Sequence, residues 1–142
     1  MKILVTGGTG MVGNSLKKVL PSAIYVSSSD YDLRIKEQAR DMFVRHSPDA
    51  VIHLAARVGG VKANTDYIAD FYADNIMIKA NVLSGAKEFE VNKLVSLLSA
   101  CVYPDSATYP LTESQIHSGS PHDSNFGYAY AKRMLDVQSR AL

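Results

Sequence analysis

The sequence has little of what marks secreted, membrane-bound or nucleic-acid-binding proteins. One cysteine among 142 residues excludes an internal disulfide, and a reducing cytosol is the simplest compartment for such a chain. A net charge of +1 gives no reason to expect nucleic acid or an anionic membrane as a partner. No apolar run approaches the roughly 18 residues needed to span a bilayer. We therefore expect a cytoplasmic protein without a nucleic-acid or membrane partner, and we find no metal-ligand pattern.

What is present is typical of one soluble domain. The chain is 46% hydrophobic and 20% charged, which is ordinary for a globular protein, and its length is about that of one domain. The N-terminal residues 1–6 hold one cation and a short apolar run, which ends at Gly7. This pattern predicts a first strand rather than a signal peptide. The chain has no internal repeat and no low-complexity linker.

Short apolar runs alternate with helical patterns along the chain. The runs are rich in Val, Ile and Leu and are bounded by polar residues or glycine, which predicts buried parallel strands. The predicted strands are residues 2–6, 23–27, 50–55 and 93–99, and the predicted helices are residues 11–20, 35–46, 67–89 and 127–142. Strand alternating with helix predicts an α/β fold with a Rossmann-like, doubly wound parallel sheet.

The C-terminal side of this sheet is expected to be incomplete. A crossover helix in a parallel sheet should lead to another strand, but the last helix runs to Leu142. The strand at 93–99 is then left as an exposed edge. We interpret residues 1–142 as the N-terminal part of a nucleotide-binding Rossmann domain, with a C-terminal substrate domain absent. Residues 104–126 form one long irregular segment, and loops of that length are usually functional or mobile.

A glycine-rich loop joins the first strand to the first helix. Gly7, Gly10 and Gly13 are spaced by three residues, which suits a tight turn, close approach of the backbone to a pyrophosphate, and close packing of helix on strand. The helix N-terminus adds N–H groups and a positive dipole end. A purely structural glycine turn is the alternative. The residues predicted to bind the phosphates are Gly7, Gly8, Thr9, Gly10, Met11, Val12 and Gly13.

The end of the second strand bears on the choice between NAD and NADP. Residues 27–29 are three serines, where an acidic residue would bind a ribose 2′-OH and repel a 2′-phosphate. The hydroxyls favour NADP, although residues 27–29 include no cation to pair with a phosphate. A plain polar turn is nearly as good an interpretation of Asp30 and Asp32. The adenosine contacts predicted here are Ser28, Asp32 and Leu33.

A second polar set lies near the C-terminus. Tyr128 and Lys132 are four residues apart and share one helix face, so a nearby ammonium is expected to lower the tyrosine pKa. Ser99 is predicted to end the last strand, at the sheet edge where ligands bind. Together with the glycine loop, the three residues indicate proton transfer at an alcohol or ketone oxygen. Cys101 offers a second acid/base, with a small buried apolar residue as the alternative. Tyr130 is expected to face elsewhere.

These residues together resemble the extended short-chain dehydrogenase/reductase family. Within it the resemblance narrows to the GDP-L-fucose synthases, which are 3,5-epimerase/4-reductases of GDP-4-keto-6-deoxymannose. The matching segments are residues 3–13, 53–60, 98–104 and 125–133. The resemblance extends over essentially all of the chain and covers about the N-terminal half of a typical member.

The resemblance implies a role for each residue of the polar set. Ser99, Tyr128 and Lys132 would form the reductase triad, with Lys132 also reaching a cofactor ribose. Cys101 would be the base that removes the C3 and C5 protons. The residues implied to run past the nicotinamide are Leu97, Leu98, Ser99 and Ala100. The implied activity is NADPH-dependent epimerisation and reduction of GDP-4-keto-6-deoxy-D-mannose to GDP-L-fucose, with a GDP-sugar as the substrate.

Two alternatives remain beside that activity. The chain is otherwise a truncated, inactive nucleotide-binding fragment, or another nucleotide-sugar epimerase or dehydratase that does not need the thiol. The family's acid histidine belongs to the C-terminal half, and His117 and His122 are more simply interpreted as solvated loop residues. In this family the helices at 67–89 and 127–142 usually build the dimer, so we expect a homodimer.

Overall fold

The computed structural model describes all 142 residues, which form four strands and five α-helices. The strands are β1 (Ile3–Thr6), β2 (Ile24–Val26), β3 (Ala50–His53) and β4 (Lys93–Ser96). The helices are α1 (Met11–Val19), α2 (Lys36–His46), α3 (Val61–Asp66), α4 (Ile68–Glu88) and α5 (Phe126–Ala141). Three 3-10 helices follow β4, at Ala100–Val102, Glu113–Gln115 and Asp123–Asn125. None of the helices combines the length and the apolar character that crossing a membrane requires.

The chain divides into two compact units, and each is built from two separate stretches. Unit 1 consists of Met1–Ala56 and Met77–Leu97, and unit 2 of Arg57–Ile76 and Leu98–Leu142. Unit 1 therefore holds the whole sheet, α1, α2 and the second part of α4. Unit 2 holds α3, the first part of α4, the three 3-10 helices and α5.

The sheet of unit 1 is parallel throughout, with the strand order β2-β1-β3-β4. Leu4 of β1 lies opposite Ile24 of β2 on one side and Val51 of β3 on the other. This is the predicted Rossmann-like α/β sheet. The order reverses between β1 and β3, and in open α/β sheets ligands bind outside the carboxyl ends of the strands at such a point. The topology alone thus directs attention to the residues that follow β1 and β3.

The core of unit 1 lies between the sheet and the helices that cover it. Leu4 and Val51 are fully buried, as are Met42 and Phe43 of α2. The ring of Phe43 stacks on the ring of Phe89 with 5.7 Å between their centroids. Burying such side chains stabilises the unit by roughly 1.5–3 kcal/mol each. The same packing holds β1 and β3 in fixed register, which fixes where their carboxyl ends lie.

In unit 2, a buried amide anchors the chain just after the sheet. Asn75 of α4 is fully buried and accepts a hydrogen bond from the Arg57 N–H at 3.1 Å while donating to the Arg57 carbonyl at 2.9 Å. The Arg57 guanidinium also pairs with Asp74 at 2.8 Å. Gly127 permits close packing between α5 and α4, because a Cβ there would lie 2.5 Å from the Ile68 carbonyl oxygen.

Three sequence expectations about the elements were wrong. The last strand ends at Ser96 rather than at Ser99, because the Ser99 side chain turns the backbone by capping the next 3-10 helix. Helix α3 was missed, because the two glycines before it have the composition of a loop. The segment at 104–126 is not irregular throughout, since two of the 3-10 helices lie within it.

Candidate functional site

The glycine loop lies close against the ends of two strands in unit 1. Gly7 has a φ of 70°, and a Cβ on it would lie 2.8 Å from the Ala55 backbone nitrogen. Gly8 donates its N–H to the Val26 carbonyl at 2.8 Å, and a Cβ on it would lie 2.8 Å from the Tyr25 Cβ. Neither position has room for a side chain. The loop therefore lies against the chain at the carboxyl ends of β2 and β3, next to the reversal point of the sheet.

The N-terminus of α1 is open to an anion. Its N-cap, Gly10, offers no side chain to the first turn, and the first backbone bond of the helix is Asn14 N–H to Gly10 O at 2.9 Å. The amides of Met11, Val12 and Gly13 are thus left without a backbone acceptor. No acidic residue lies in the first turn, and Met11 is 86% exposed. Three free N–H groups at a positive helix end fit the pyrophosphate of a dinucleotide.

A carboxylate lies at the end of β2. Asp30 accepts hydrogen bonds from both the backbone N–H and the hydroxyl of Ser27, each at 2.8 Å. The backbone bond, followed by the hydroxyl bond, lowers the Asp30 pKa below its usual value. The expectation of a strand end without an acid was therefore wrong, because the turn after β2 brings the Asp30 carboxylate back to the end of that strand. Ser27 donates its hydroxyl to this carboxylate, whereas Ser28 stays exposed.

The two other predicted adenosine residues are already engaged within unit 1. Asp32 pairs with the Arg34 guanidinium at 2.7 Å. Leu33 is only 7% exposed and belongs to the hydrophobic core of the unit. Arg34 supplies a cation after β2, which residues 27–29 lack. The Arg34 guanidinium lies in the turn that follows β2, where its charge is paired with the charge of Asp32.

The polar set of unit 2 converges in space. The Ser99 hydroxyl caps the 3-10 helix that carries Cys101, accepting from the Cys101 N–H at 3.3 Å. The same hydroxyl lies beside the phenol of Tyr128, where it acts to lower the pKa of that phenol. On α5, the Lys132 ammonium lies 5.9 Å from the centroid of the Tyr128 ring. The structure thus brings together the four residues of the polar set, which are Ser99, Cys101, Tyr128 and Lys132.

Burial shifts the pKa values of Tyr128 and Lys132. It raises the pKa of Tyr128 by more than the Ser99 hydrogen bond lowers it, and a charged Cys101 would raise it further. Lys132 is 6% exposed, and its burial lowers its pKa to about 8. The expectation that the ammonium would lower the tyrosine pKa was therefore wrong, because burial is the largest influence on this phenol and Lys132 is not among the groups that shift its pKa. Tyr128 is a protonated phenol near neutral pH, and this is the form that can donate a proton.

The other residues predicted to lie beside the nicotinamide are exposed. Leu97 is 42% and Leu98 37% exposed, and Ala100 is also exposed. Tyr130 turns away from the set, since its ring lies against Phe126 with 4.8 Å between the centroids.

Both loop histidines are exposed, and each has a polar partner nearby. His117 pairs with Asp136 at 2.9 Å, and His122 accepts a hydrogen bond from the Ser124 N–H at 3.2 Å. No group of three or more His, Cys, Asp or Glu side chains is arranged to hold a metal ion.

Sequence reasoning missed Arg133, the neighbour of Lys132 on α5. It is 3% exposed and donates hydrogen bonds to the carbonyls of Val102 and Gly119, each at 2.7 Å. The signal was weak, because its partners are backbone atoms that every residue possesses. The indication in the sequence is a second cation directly after Lys132 in a predicted helix with alternating small residues.

Comparison with known proteins identifies the family. A sequence model of the NAD dependent epimerase/dehydratase family matches residues 3–142. The chain is 49% identical over 146 residues to GDP-L-fucose synthase of Dictyostelium discoideum, covering 98% of this chain and 46% of that protein. It is 44% identical over 147 residues to probable GDP-L-fucose synthase of Drosophila melanogaster, covering 99% and 46%.

A solved structure gives the same result. The GDP-L-fucose synthetase of Naegleria fowleri bound to NADP superposes with a TM-score of 0.88 at 41% identity, covering 98% of this chain and 43% of that one. The chain thus spans slightly less than half the length of these relatives. The glycine loop, the Ser-Tyr-Lys set and these matches agree, and the chain belongs to the NAD dependent epimerase/dehydratase family.

Proposed function

We propose that this chain carries the cofactor-binding and acid/base residues of an NADPH-dependent enzyme that epimerises and reduces GDP-4-keto-6-deoxy-D-mannose to GDP-L-fucose. The observation that carries the proposal is the joint contact of Ser99 with Tyr128 and with the turn of Cys101. Relatives of this chain named GDP-L-fucose synthase support the choice of substrate.

The cofactor proposal depends on α1 and on the turn after β2. The free amides at residues 11–13 and the close loop at Gly7 and Gly8 suit the phosphates of NADPH. Arg34 and the exposed Ser28 suit a 2′-phosphate, whereas the Asp30 carboxylate opposes one. The relative solved with NADP supports the interpretation in which Arg34 and Ser28 hold a 2′-phosphate. The bound cofactor would supply the hydride that reduces the sugar at C4.

In the reduction, Tyr128 would donate its phenolic proton to the C4 oxygen as hydride arrives at C4. Its raised pKa keeps that proton in place at neutral pH. Ser99 would hold the same oxygen and then stabilise the tyrosinate, since its hydroxyl already acts to lower the pKa of this phenol. The Lys132 side chain beside the ring would offset the charge that develops on the phenol.

In the epimerisation, Cys101 would act before the reduction. The protons at C3 and C5 are α to the C4 ketone, so a thiolate base that removes one leaves an enolate on the C4 oxygen. Ser99 and Tyr128 would stabilise that oxygen by hydrogen bonding. A proton returned from the opposite face inverts each carbon. The base therefore has to lie beside the residues that bind C4, as Cys101 does on the turn that Ser99 caps.

The direct test is turnover in deuterated water. We expect the 142-residue chain with NADPH and the keto-sugar to oxidise NADPH and to incorporate deuterium at C3 and C5, measured by absorbance and by mass spectrometry. Cys101→Ser is expected to abolish deuterium incorporation. Tyr128→Phe is expected to reduce NADPH oxidation at least about 100-fold.

Tyr130→Phe is the matched control. It removes the same hydroxyl two residues away, where the ring packs on Phe126 outside the polar set, so we expect turnover within about twofold of the parent chain. Deuterium incorporation that survives Cys101→Ser would contradict the epimerase proposal and favour a 4-epimerase or dehydratase.

A second candidate function is nucleotide binding without turnover. It is favoured by one observation, that the amides at residues 11–13 are free to bind a nucleotide phosphate whether or not a sugar is bound. NADPH binding measured by fluorescence titration, with no NADPH oxidation on addition of the keto-sugar, would support this candidate for the chain as it stands.

A further inference from the structure

Arg133 joins three parts of unit 2, and two of them carry the proposed reacting groups. It lies on α5 beside Lys132, and its Nε and Nη1 atoms each donate to a backbone carbonyl at 2.7 Å, those of Val102 and Gly119. Val102 directly follows Cys101. The guanidinium also lies 5.3 Å from the centroid of the Tyr130 ring, which limits its movement from the helix side.

The turn that carries Cys101 is held at both ends. At its start, the Ser99 hydroxyl accepts from the Cys101 N–H, and the Ser99 carbonyl accepts from the Val102 N–H at 3.1 Å. At its end, Arg133 holds the Val102 carbonyl. Because Ser99 also contacts Tyr128 and Arg133 is rooted on the same helix, the turn is tied to α5 at two points.

The hydrogen bond from Arg133 to the Gly119 carbonyl connects α5 to the long segment that follows the turn of Cys101. Gly119 lies against Pro104, since a Cβ on Gly119 would be 3.2 Å from the Pro104 Cβ. Next to it, the Asp105 N–H donates to the Ser120 carbonyl at 3.2 Å. One guanidinium therefore fixes the residues on both sides of this antiparallel contact. This gives residues 104–120 a structural link to the acid/base set.

Stability alone is a poor explanation for this arrangement. Arg133 is 3% exposed, no carboxylate pairs with it, and its Nη2 atom is buried without a hydrogen-bond partner. A buried charge with incomplete compensation destabilises a fold relative to an apolar residue of similar size. Its two short, directed hydrogen bonds instead fix geometry.

We propose that Arg133 is a positioning residue that sets the place of Cys101 relative to Tyr128 and Lys132 by holding the carbonyls of Val102 and Gly119. The proposal rests on the proposed function for its effect on turnover. Its structural part concerns Cys101 alone and needs neither sugar nor cofactor.

The structural part is tested by alkylation. The chain has one cysteine, so the rate of reaction with iodoacetamide reports only on Cys101. We expect Arg133→Lys and Arg133→Ala to raise this rate at least about fivefold in the folded protein, and millimolar guanidinium to restore the slow rate in Arg133→Ala. Arg133→Lys retains the charge but cannot reach both carbonyls, so it keeps the test valid if the alanine variant does not fold.

The control is the same change on the same helix. Arg140 is exposed and bonds only to Asp136, one turn away, so Arg140→Lys should alkylate at the parent rate. Equal rates for the parent and both folded Arg133 variants would overturn the proposal. So would a rise without rescue by guanidinium, since loosening of the whole unit would produce it.

Turnover supplies a second measurement that general destabilisation would not move selectively. We expect Arg133→Lys to slow deuterium exchange at C3 and C5 at least tenfold, while kcat for NADPH oxidation with an already epimerised 4-keto sugar falls less than threefold. An equal fall in both rates would contradict the positioning role. If no variant or parent turns over, the proposed function fails while the alkylation result still decides the role of Arg133.

Discussion

Lys132 is the residue at which stability and chemistry conflict most. A folded pKa of about 8, against 10.5 for an ordinary lysine, means that folding disfavours the charged form. The unfolded chain therefore binds more protons, and stability rises with pH through that window. At neutral pH the folded chain retains a buried ammonium beside Tyr128 at a cost of about 3 kcal/mol.

We predict that Lys132→Met stabilises the folded chain while it removes catalysis. The gain in free energy of unfolding should be about 1–3 kcal/mol at pH 7 and should shrink by about 2 kcal/mol by pH 9.5, because the folded-state amine is then neutral. Urea denaturation at the two pH values measures it.

Lys62→Met is the control, since the Lys62 side chain is 89% exposed and pairs only at the surface. It should change stability by less than about 1 kcal/mol at either pH. A Lys132→Met gain that is equal at both pH values would mean that packing, and not charge, is responsible.

At the scale of elements, α1 and β1 depend on their mutual approach at the glycine loop. A Cβ on Gly13 would lie 2.6 Å from the Gly7 carbonyl oxygen and 2.8 Å from the Gly8 Cα. Both contacts are with backbone, which cannot rotate away. The close approach of α1 to the loop therefore requires the absence of a side chain at this position.

We predict that Gly13→Ala destabilises the chain by about 1–3 kcal/mol, because the overlap exceeds the gain in helix propensity of about 1 kcal/mol. NADPH affinity should fall at least tenfold, because the free amides of the first turn move with α1. Thermal unfolding and fluorescence titration measure the two effects.

Gly60→Ala is the matched change, since Gly60 is the N-cap of α3 with a φ of −70° and a Cβ on it would meet nothing within 4 Å. It should alter stability by less than about 1 kcal/mol and leave NADPH affinity unchanged. Equal stability and equal NADPH affinity of the two variants would show that the loop can accommodate a methyl group at residue 13.

How far the sequence predicted these elements depends on what each one is made of. The glycine loop was predictable, because the backbone at Gly7 and Gly13 leaves no room for a side chain. Only glycine fits there, and the sequence shows glycine at both positions. The place of Ser99 was not predictable, because the sequence shows a serine in the same way whether it ends a strand or caps the turn that follows. Asp30 was missed because a turn, and not a strand, brings it to the end of β2. Arg133 was missed because its partners are carbonyl oxygens.

At the scale of the whole molecule, apolar side chains remain exposed on two helices of unit 2. Ile68 is 39% and Tyr72 44% exposed on α4, while Met134 is 37% and Val137 45% exposed on α5. Apolar groups left in water on one element are typical of surfaces that a partner covers. A homodimer formed through these helices therefore remains our prediction.

We predict that light scattering gives twice the chain mass at micromolar concentration, and that Val137→Glu shifts the population to the monomer. Val19→Glu is the control, because Val19 is 77% exposed on α1 in unit 1. It introduces the same charge outside the predicted contact and should leave the mass unchanged. A parent chain that is monodisperse at the mass of one chain would contradict the prediction.

The interleaving of the two units has a consequence for synthesis on the ribosome. Residues 57–76 belong to unit 2 but emerge before β4 of unit 1, and the rest of unit 2 follows only after Leu97. Each unit must therefore wait for part of the other to be translated before its own two stretches can meet. Neither unit can complete co-translational folding as a simple N-terminal domain, so the nascent chain holds Arg57–Ile76 without its contacts to the later stretch of unit 2 until α5 has left the exit tunnel.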